Sequence, residues 1–347
     1  MVSVRDLLIG IVSLVIAPLI GALASFCMAA LRLASIVWRD VANHTGRVNL
    51  DKQVVIVTGG AGGFGSAITV RLLAAGAIVW NVDVMPPADA AARLPASDRL
   101  VYRQCDLTDP AQLARLVAEL RTQRVEVYAL LNNAGITGLP SAAIETTPET
   151  LRNVFDVNFF AAAELSRQLF DRKRPLFKLS PRQCVAGQAP TRGRIVNVTS
   201  VAGLVSSSGI SAYGASKFAL ECFTDATRLE CGEQHIDVAL IEPYFATTGI
   251  YRAMLAMTDR DFESSLLGEH FRFSKGRFTK ALDDNVMMTA DYVASFIERA
   301  LTEAVPQDRY CVAPLTREIA LRFAMHFPNY FGCVDKAKRD ASTSDSV

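Results

Sequence analysis

The sequence has almost no net charge, since 36 lysine and arginine residues stand against 35 acidic ones in 347 residues. It therefore lacks the electrostatic signature of proteins that bind nucleic acid or anionic surfaces. No internal repeat is visible either, which argues against a repeat architecture. Small molecules are the expected partners.

The sequence also lacks any metal-binding pattern of cysteine and histidine. Its seven cysteines are odd in number and widely scattered, and they form no CxxC pair and no Cys/His cluster of metal-ligand spacing. We expect no metal site, reduced thiols and a domain that faces the cytosol. Unpaired cysteines of this kind behave as small buried hydrophobic residues.

Charged residues are missing from one long segment near the amino terminus. From Leu7 to Leu31 there is none, and the apolar run continues beyond Arg32 to Trp38. A helix that spans a bilayer needs about 20 residues, whereas a cleaved signal has an apolar core of only about 7 to 15. Residues 1–38 are therefore predicted to be a retained transmembrane anchor, with a re-entrant hairpin as the alternative.

Basic residues are distributed unequally around this segment. Arg39, Arg47 and Lys52 follow it, whereas only Arg5 and the amino terminus precede it. Cytoplasmic flanks of membrane helices carry an excess of Lys and Arg. This distribution predicts a single-pass protein whose downstream part, beyond a polar linker at residues 39–53, faces the cytoplasm.

The remainder of the chain alternates short apolar runs with longer amphipathic stretches. The runs, each rich in β-branched residues, are Val54–Val57, Ile78–Val82, Val127–Leu131, Ile195–Val198 and Val238–Ile241. Continuous apolar runs separated by helix-length segments are typical of parallel strands covered on both faces by helices. We predict an α/β doubly wound domain over residues 54–315.

Three stretches depart from this alternation. Lys173–Arg192 is rich in Pro, Arg, Lys and Gln and is predicted to be an inserted surface loop. Residues 316–334 form an amphipathic segment that could dock at a membrane surface. The tail, Asp335–Val347, offers nothing to bury and is predicted to be disordered.

A glycine-rich turn follows the first apolar run directly. It satisfies TGxxxGxG through Thr58, Gly59, Gly63 and Gly65, and GxGxxG through Gly60, Gly62 and Gly65, and an amphipathic helix follows. Glycines let backbone amides approach a pyrophosphate, and a helix N-terminus favours its negative charge. By itself such a turn serves equally well as an ordinary tight turn.

The next predicted strand ends in Asp83, 18 residues beyond Gly65. A carboxylate at this position accepts hydrogen bonds from both adenosine ribose hydroxyls and repels a 2′-phosphate. Asp83 therefore predicts NAD rather than NADP. The alternative is an ordinary solvated aspartate at the end of a strand.

Tyr213 and Lys217 stand four residues apart, which places them on one face of a helix. Tyrosine titrates near pH ~10, too high for base catalysis at neutrality, and a neighbouring cation lowers its pKa. A YxxxK pattern alone is frequent by chance and is usually a surface pair. Whether this pair is catalytic depends on which other motifs the sequence contains.

The accompanying motifs resemble those of the short-chain dehydrogenase/reductase family over about 260 residues, and they occur in the family's order. They are TGxxxGxG at Thr58–Gly65, Asp106 after the third strand, Asn132-Asn133-Ala134-Gly135 after the fourth, Asn158, Ser200, and Tyr213 with Lys217. The resemblance implies one Rossmann domain with a seven-stranded parallel sheet in place of two domains. It also implies that Ser200, rather than the adjacent Thr199, is the serine 13 residues before the tyrosine.

The resemblance further implies a catalytic tetrad of Asn158, Ser200, Tyr213 and Lys217. In the family the tyrosine exchanges the alcohol proton, the serine polarises the oxygen, the lysine holds the nicotinamide ribose, and the asparagine anchors a water. Asp106 should contact adenine. The expected NAD-binding residues are Thr58, Gly59, Gly63, Phe64, Gly65, Asp83, Asp106, Leu107, Asn133, Ala134, Gly135, Tyr213, Lys217, Pro243 and Thr248.

One segment departs from the family pattern. The family commonly has Pro-Gly after the sixth strand, and this chain has Tyr244 after Pro243. A tyrosine there is expected to reshape the pocket or to restrict cofactor entry. Thr248 keeps the spacing of the family's carboxamide-contacting threonine, and Thr247 competes for that role.

The expected function is the NAD-dependent interconversion of a hydrophobic alcohol and its carbonyl compound, similar to that of the membrane-bound retinol and hydroxysteroid dehydrogenases, at the endoplasmic reticulum. Apolar residues between Ile250 and Phe273 resemble the family's variable substrate lid, although helical core packing would explain them too. An acyl-chain ketoreductase and a non-catalytic NAD-binding sensor are the alternatives. A homodimer is left open.

Overall fold

The computed structural model describes residues 46–171, 174–177, 193–248, 255–284 and 287–313. Within these residues no helix is long and apolar enough to cross a membrane. The predicted anchor, the amphipathic segment and the tail lie outside them, as do residues 178–192 of the predicted insertion.

Seven parallel strands form one sheet in the order β3-β2-β1-β4-β5-β6-β7. The strands are β1 Val54–Thr58, β2 Ile78–Asp83, β3 Leu100–Gln104, β4 Val127–Asn132, β5 Gly193–Val198, β6 Ile236–Pro243 and β7 Arg309–Val312. The sheet order reverses between β1 and β4, and ligands of doubly wound sheets bind at such a switch point, at the carboxyl ends of the strands. The predicted seven-stranded parallel Rossmann sheet is confirmed.

Helices cover both faces of the sheet. They are α1 Gly63–Ala74, α2 Pro87–Ala91, α3 Pro110–Thr122, α4 Pro148–Phe155, α5 Ala161–Leu169, α6 Ser211–Cys231, α7 Asp259–Glu263, α8 Gly268–Asp283 and α9 Ala290–Thr302. Apolar side chains of α1 and α9 pack on one face, and those of α3 and α5 on the other. Three helices begin where the side chain of Asp109, Thr147 or Thr289 accepts from a backbone amide of the first turn.

Two segments predicted to be polar contribute to the core. Val48 and Leu50 belong to the predicted linker, yet both are buried, and Val48 N donates to Thr302 O at 2.7 Å. Leu176 and Phe177 belong to the predicted surface insertion, but they are buried as well, and Leu176 O accepts from Val127 N at 2.7 Å. Each pair lies in a stretch that is polar on average, so composition alone did not indicate that these residues are buried.

A buried arginine joins β5 to the end of α9. Arg194 is 1% exposed, and its guanidinium donates to the backbone carbonyls of Ala300 and Glu303 while it lies 5.9 Å from the centre of the Tyr128 ring. A cation is favourable at a helix C-terminus, where the last carbonyls lack partners within the helix. The arginine therefore fixes α9 against the sheet.

Candidate active site

The glycine-rich loop between β1 and α1 requires glycine at specific positions. Gly59 and Gly63 have φ of +61° and +50°, in the left-handed region that glycine adopts most readily. A side chain on Gly65 would collide with the carbonyl oxygen of Gly59, whereas one on Gly62 would meet nothing within 4 Å. Of the glycines in the two patterns, Gly62, which belongs only to GxGxxG, is therefore the one with space for a side chain.

The amino terminus of α1 has free backbone amides and no negative charge, as an anion-binding site requires. Gly62 provides no side-chain cap, and the first turn contains no acidic residue. The amides of this turn, together with the helix dipole, suit a pyrophosphate. The open space beside Gly62 leaves room for it, so the loop fits a dinucleotide.

The loop is held against the end of β4 by Thr58 and Asn133. The Thr58 hydroxyl accepts from the amides of Asn133 at 3.0 Å and Ala134 at 3.1 Å. In return, the Asn133 side chain donates to the carbonyls of Thr58 at 2.9 Å and Gly59 at 3.0 Å. Both residues thus shape the site through the backbone.

Sequence analysis overlooked Asn81, which supports the loop from below. Its side-chain amide is fully buried and donates to Gly60 O at 2.8 Å and to the Thr69 hydroxyl at 2.9 Å. A side chain on Gly60 would occupy the position of this amide. The sequence did contain a sign of this role, because Asn81 is a polar residue within the apolar strand β2.

Asp83 lies at the carboxyl end of β2, beside the loop. Its Oδ2 accepts from Ala61 N at 2.9 Å and its Oδ1 from Met85 N at 3.0 Å. Each carboxylate oxygen keeps lone pairs for further donors. Asp106, after β3, accepts from Thr108 N at 2.9 Å and from its hydroxyl at 2.7 Å, both at Oδ1.

Tyr213 lies in the first turn of α6, and the Ser200 side chain is close enough to affect its pKa. The Ser200 hydroxyl also caps the short 3-10 turn Val201–Gly203 by accepting from Ala202 N at 3.1 Å. The serine is therefore both a cap at a strand end and a neighbour of the tyrosine. Burial raises the pKa of Tyr213 above its ordinary value, and the Ser200 side chain offsets part of this effect.

Lys217 is buried on the same face of α6. Its Nζ donates to Val198 O at 2.9 Å and lies 5.6 Å from the centre of the Tyr213 ring. Burial lowers the pKa of Lys217 to about 8, and the charge of Glu221 acts in the opposite direction. Burial is the larger of the two influences on the pKa of Tyr213, and the lowering of this pKa by the Lys217 charge remains a prediction.

Asn158 lies in a π-helical turn, Asp156–Phe160, between α4 and α5. Single π turns are frequent at functional sites. The Asn158 side chain accepts from Ile136 N at 2.8 Å and donates to Ile136 O and the Ser216 hydroxyl, both at 2.9 Å. A Cβ on Gly135 would lie 3.3 Å from Asn158 Oδ1 and 3.4 Å from Lys217 Nζ. Asn158 and Lys217 therefore flank the same point above Gly135.

The segment that follows β6 lies over the glycine loop. Thr248 lies beside the loop, since a Cβ on Gly63 would be in van der Waals contact with the Thr248 side chain at 3.7 Å. Thr247 is exposed, and its amide donates to Met288 O at 2.8 Å. This geometry favours Thr248 over Thr247 as the cofactor contact. The Tyr244 ring is half-buried and packs edge-on against Phe245, with centroids 4.6 Å apart.

The described part of the predicted lid, residues 255–273, is attached beside the tyrosine helix. Glu145 accepts from the Ser265 hydroxyl at 2.7 Å and from Leu266 N at 2.8 Å. Phe271 is buried against Gly209, where a Cβ would collide with its ring. Phe271 is thus a core residue, whereas Leu266 is exposed. Residues 250–254 of the predicted lid lie outside the described residues.

These features bring a dinucleotide loop and a Tyr-Lys pair to one edge of the sheet, and the family model for short chain dehydrogenase matches residues 53–258. The chain belongs to this family. The short-chain dehydrogenase fold and its nicotinamide dinucleotide site account for the glycine loop and for the carboxyl-edge position of the tyrosine.

Named relatives of this short-chain dehydrogenase act on apolar alcohols according to their names. Retinol dehydrogenase 16 of Rattus norvegicus is 27% identical over 282 residues, which cover 78% of this chain and 82% of the relative. The 17-beta-hydroxysteroid dehydrogenase type 2 of Homo sapiens is 29% identical over 198 residues, 56% of this chain and 47% of that protein. The second match therefore spans about half the length of the relative.

Solved structures agree with the fold. A short-chain dehydrogenase/reductase from Burkholderia phymatum in complex with NAD is 23% identical, with a TM-score of 0.60 over 79% of this chain and 93% of that one. One from Burkholderia cenocepacia in complex with NADP is 20% identical, with a TM-score of 0.56 over 80% of this chain and 94% of that one. The shared fold therefore accommodates either cofactor.

Proposed function

We propose that this short-chain dehydrogenase is a NAD-dependent oxidoreductase that interconverts a hydrophobic alcohol and its carbonyl compound, with Tyr213 as the acid/base. The observation that carries the proposal is the position of Lys217 Nζ 5.6 Å from the centre of the buried Tyr213 ring, with Ser200 close enough to lower the pKa of the tyrosine. This group lies at the edge of the sheet where the glycine loop ends.

Tyr213, Ser200 and Lys217 each have a separate role in the proposed reaction. Tyr213 accepts the hydroxyl proton of the alcohol and returns it to the oxygen when the carbonyl is reduced. Ser200 donates a hydrogen bond to the reacting oxygen and orients it. Lys217 stabilises the tyrosinate by its charge. The nicotinamide supplies hydride chemistry when it is bound.

The choice of NAD rests on Asp83. Its carboxylate stands at the end of β2 and would accept hydrogen bonds from the adenosine ribose, while its charge opposes a 2′-phosphate. Thr58, Gly59, Gly63, Phe64 and Gly65 would hold the pyrophosphate side. Thr248 and Pro243 would cover the nicotinamide side.

A hydrophobic substrate is supported by apolar side chains on loops beside Tyr213. Leu139 and Ile144 are 71% and 86% exposed, and their loop pairs with the start of α6 through Ser141 and Ile210. The same loop holds exposed Leu266 of the lid through Glu145. Exposed apolar residues gathered in this way suit an apolar ligand. A retinoid, a steroid or another lipid alcohol is the expected class.

The test is a comparison of substrates with the purified full-length protein. Retinoids, sterols and long-chain alcohols are offered with NAD, and reduced cofactor is followed by its absorbance. We expect kcat/KM for at least one of them to exceed that for propan-2-ol by more than ~100-fold, because each buried methylene adds about 0.8 kcal/mol. A higher kcat/KM for propan-2-ol than for every lipid alcohol would refute the substrate class.

A further inference from the structure

Residues 84–86 form the turn between β2 and α2, directly after Asp83, the carboxylate expected to bind the adenosine ribose. Asp83 joins this turn to the glycine loop, because its Oδ1 accepts from Met85 N at 3.0 Å and its Oδ2 from Ala61 N at 2.9 Å. Amides from two different segments therefore fix the two oxygens of one carboxylate. The direction in which the remaining lone pairs point depends on where the turn lies.

Two side chains of the neighbouring strand β3 bind the carbonyl groups of this turn. The Tyr102 hydroxyl donates to Met85 O at 2.5 Å, and the Gln104 side-chain amide donates to Val84 O at 3.2 Å. Tyr102 and Gln104 are two residues apart on β3, so their side chains lie on the same face of the sheet. Gln104 pairs with Asp83 in the sheet register. The end of β3 therefore supports the turn beside the carboxylate.

The Tyr102 ring packs near the other attachment of Asp83 as well. A small buried cluster next to the glycine loop consists of Ala61, Ala90 and Leu94. Met85 and Tyr102 pack against this cluster, so Tyr102 shares one packing unit with both residues whose amides bind Asp83. Burial and the charge of Asp83 raise the pKa of Tyr102 to about 12, so the hydroxyl keeps its proton at neutral pH and can donate it to Met85 O.

We propose that Tyr102 is a positioning residue of the cofactor site: by holding the Met85 carbonyl, it keeps the Asp83 carboxylate in the orientation that receives the adenosine ribose hydroxyls and opposes a 2′-phosphate. The inference rests on the proposed NAD-dependent function. Tyr102 acts through Met85, whose amide is one of the two donors to Asp83. Without the hydroxyl, the carbonyls of the turn keep only the longer, exposed contact from Gln104, and the carboxylate is free to turn away from the ribose.

Tyr102→Phe removes the hydroxyl and keeps the ring that packs on the cluster. We expect the affinities for NAD and for 5′-AMP to fall by roughly threefold to tenfold, since one hydrogen bond that holds the turn is lost. The affinity for adenosine 2′,5′-bisphosphate should fall less, because a carboxylate that can move away repels the 2′-phosphate less. The preference for 5′-AMP over the bisphosphate should therefore narrow by about threefold. Calorimetry on the full-length protein in detergent micelles measures these affinities without turnover.

Tyr128→Phe is the matched control. The Tyr128 hydroxyl also donates to a backbone carbonyl, Leu301 O at 2.6 Å, but Tyr128 lies near the amino end of β4, whereas the cofactor loop lies at the carboxyl edge of the sheet. Both variants should melt at a lower temperature than the wild type, and only Tyr102→Phe should lose affinity for 5′-AMP. In alcohol oxidation, Tyr102→Phe should raise KM for NAD while kcat at saturating NAD stays within about twofold of the wild type.

Gln104→Met removes the second donor to the turn and should weaken 5′-AMP binding by about twofold, because its bond to Val84 O is longer and exposed. An unchanged affinity for 5′-AMP in Tyr102→Phe overturns the inference, as does an equal loss for the bisphosphate or an equal loss in Tyr128→Phe. If Tyr102→Phe does not fold, an unchanged affinity in Gln104→Met has the same meaning. A protein whose 5′-AMP binding depends on Tyr102 as expected, but which oxidises no alcohol, would refute the proposed function and leave the inference standing.

Discussion

Tyr213 carries the chemistry at the scale of single residues, and its hydroxyl is the only group that Tyr213→Phe removes. We expect this variant to lose more than ~100-fold in kcat, as the removal of a positioned acid/base typically does, while the ring keeps the fold intact. NAD binding, followed by fluorescence or calorimetry, should stay close to that of the wild type. Turnover near the wild-type level would contradict the assignment of Tyr213.

Asp83 has two tasks, because its oxygens also accept from Ala61 N and Met85 N. A test of cofactor choice should therefore keep a hydrogen-bonding side chain of the same size. Wild-type kcat/KM for NAD should exceed that for NADP, and Asp83→Asn should narrow the ratio by about tenfold, since it removes the charge that repels the 2′-phosphate.

Asp106→Asn is the control for this experiment. It also removes a carboxylate at the carboxyl edge of the sheet, but this carboxylate already accepts hydrogen bonds from the amide and the hydroxyl of Thr108. The ratio of kcat/KM for NAD to kcat/KM for NADP in this variant should remain close to that of the wild type. A wild-type preference for NADP would show that Asp83 does not select the cofactor.

Local spacing carried much of the information on individual residues. The spacing of Tyr213 and Lys217 predicted one helix face, and both residues lie on α6. The contact between Glu221 of α6 and Arg309 of β7 could not be predicted, because 88 residues separate its partners and it needs both the packing of α6 on β6 and the pairing of β6 with β7. Likewise, no local pattern indicates that Asn158 lies in a π turn.

At the scale of secondary structure elements, the link between the loop that contains Glu145 and the lid is open to a direct test. The hydrogen bonds from Leu266 N and the Ser265 hydroxyl lower the pKa of Glu145. A depressed pKa means that the contact is present above the ordinary glutamate pKa and is lost as the pH falls through the lowered one. We expect Glu145→Gln to increase amide exchange of Leu266 roughly threefold or more at pH 7, because one of two acceptors is lost.

Glu149→Gln provides the comparison for this measurement, since Glu149 is exposed in the first turn of α4. Hydrogen exchange with mass spectrometry resolves the peptide that contains Leu266. Equal exchange rates in the wild type and in Glu145→Gln would show that Glu145 does not hold the lid.

Strands were predictable where the sheet buries them completely. β4 and β5 are buried along their whole length and appear in the sequence as apolar runs. β7 has only four residues and starts with Arg309, and β3 is half-buried and ends in Arg103 and Gln104, so neither forms an apolar run. Only the resemblance to the family indicated seven strands.

At the scale of the whole molecule, the apolar segment Leu7–Trp38 predicts how the protein behaves in cells. The protein should stay in the membrane pellet after carbonate washing, and protease added outside sealed microsomes should digest the dehydrogenase domain. Val15→Lys combined with Leu19→Lys should release it, because each lysine at the helix centre costs about 2.5 to 3.5 kcal/mol. Protection of the domain from protease would show the opposite topology.

The bonds around the end of α9 join the two ends of the described domain. Val48 from its beginning and Arg194 from its middle both bind the last carbonyls of the helix, at Ala300, Thr302 and Glu303. During synthesis the ribosome therefore releases β1 to β6 before the partner of the Arg194 guanidinium exists. Contacts between residues so far apart in sequence form late. A nascent chain that stops before residue 300 lacks the partners of the buried Arg194 guanidinium and of Val48 N, so we expect chaperones to hold this protein until α9 and β7 have emerged.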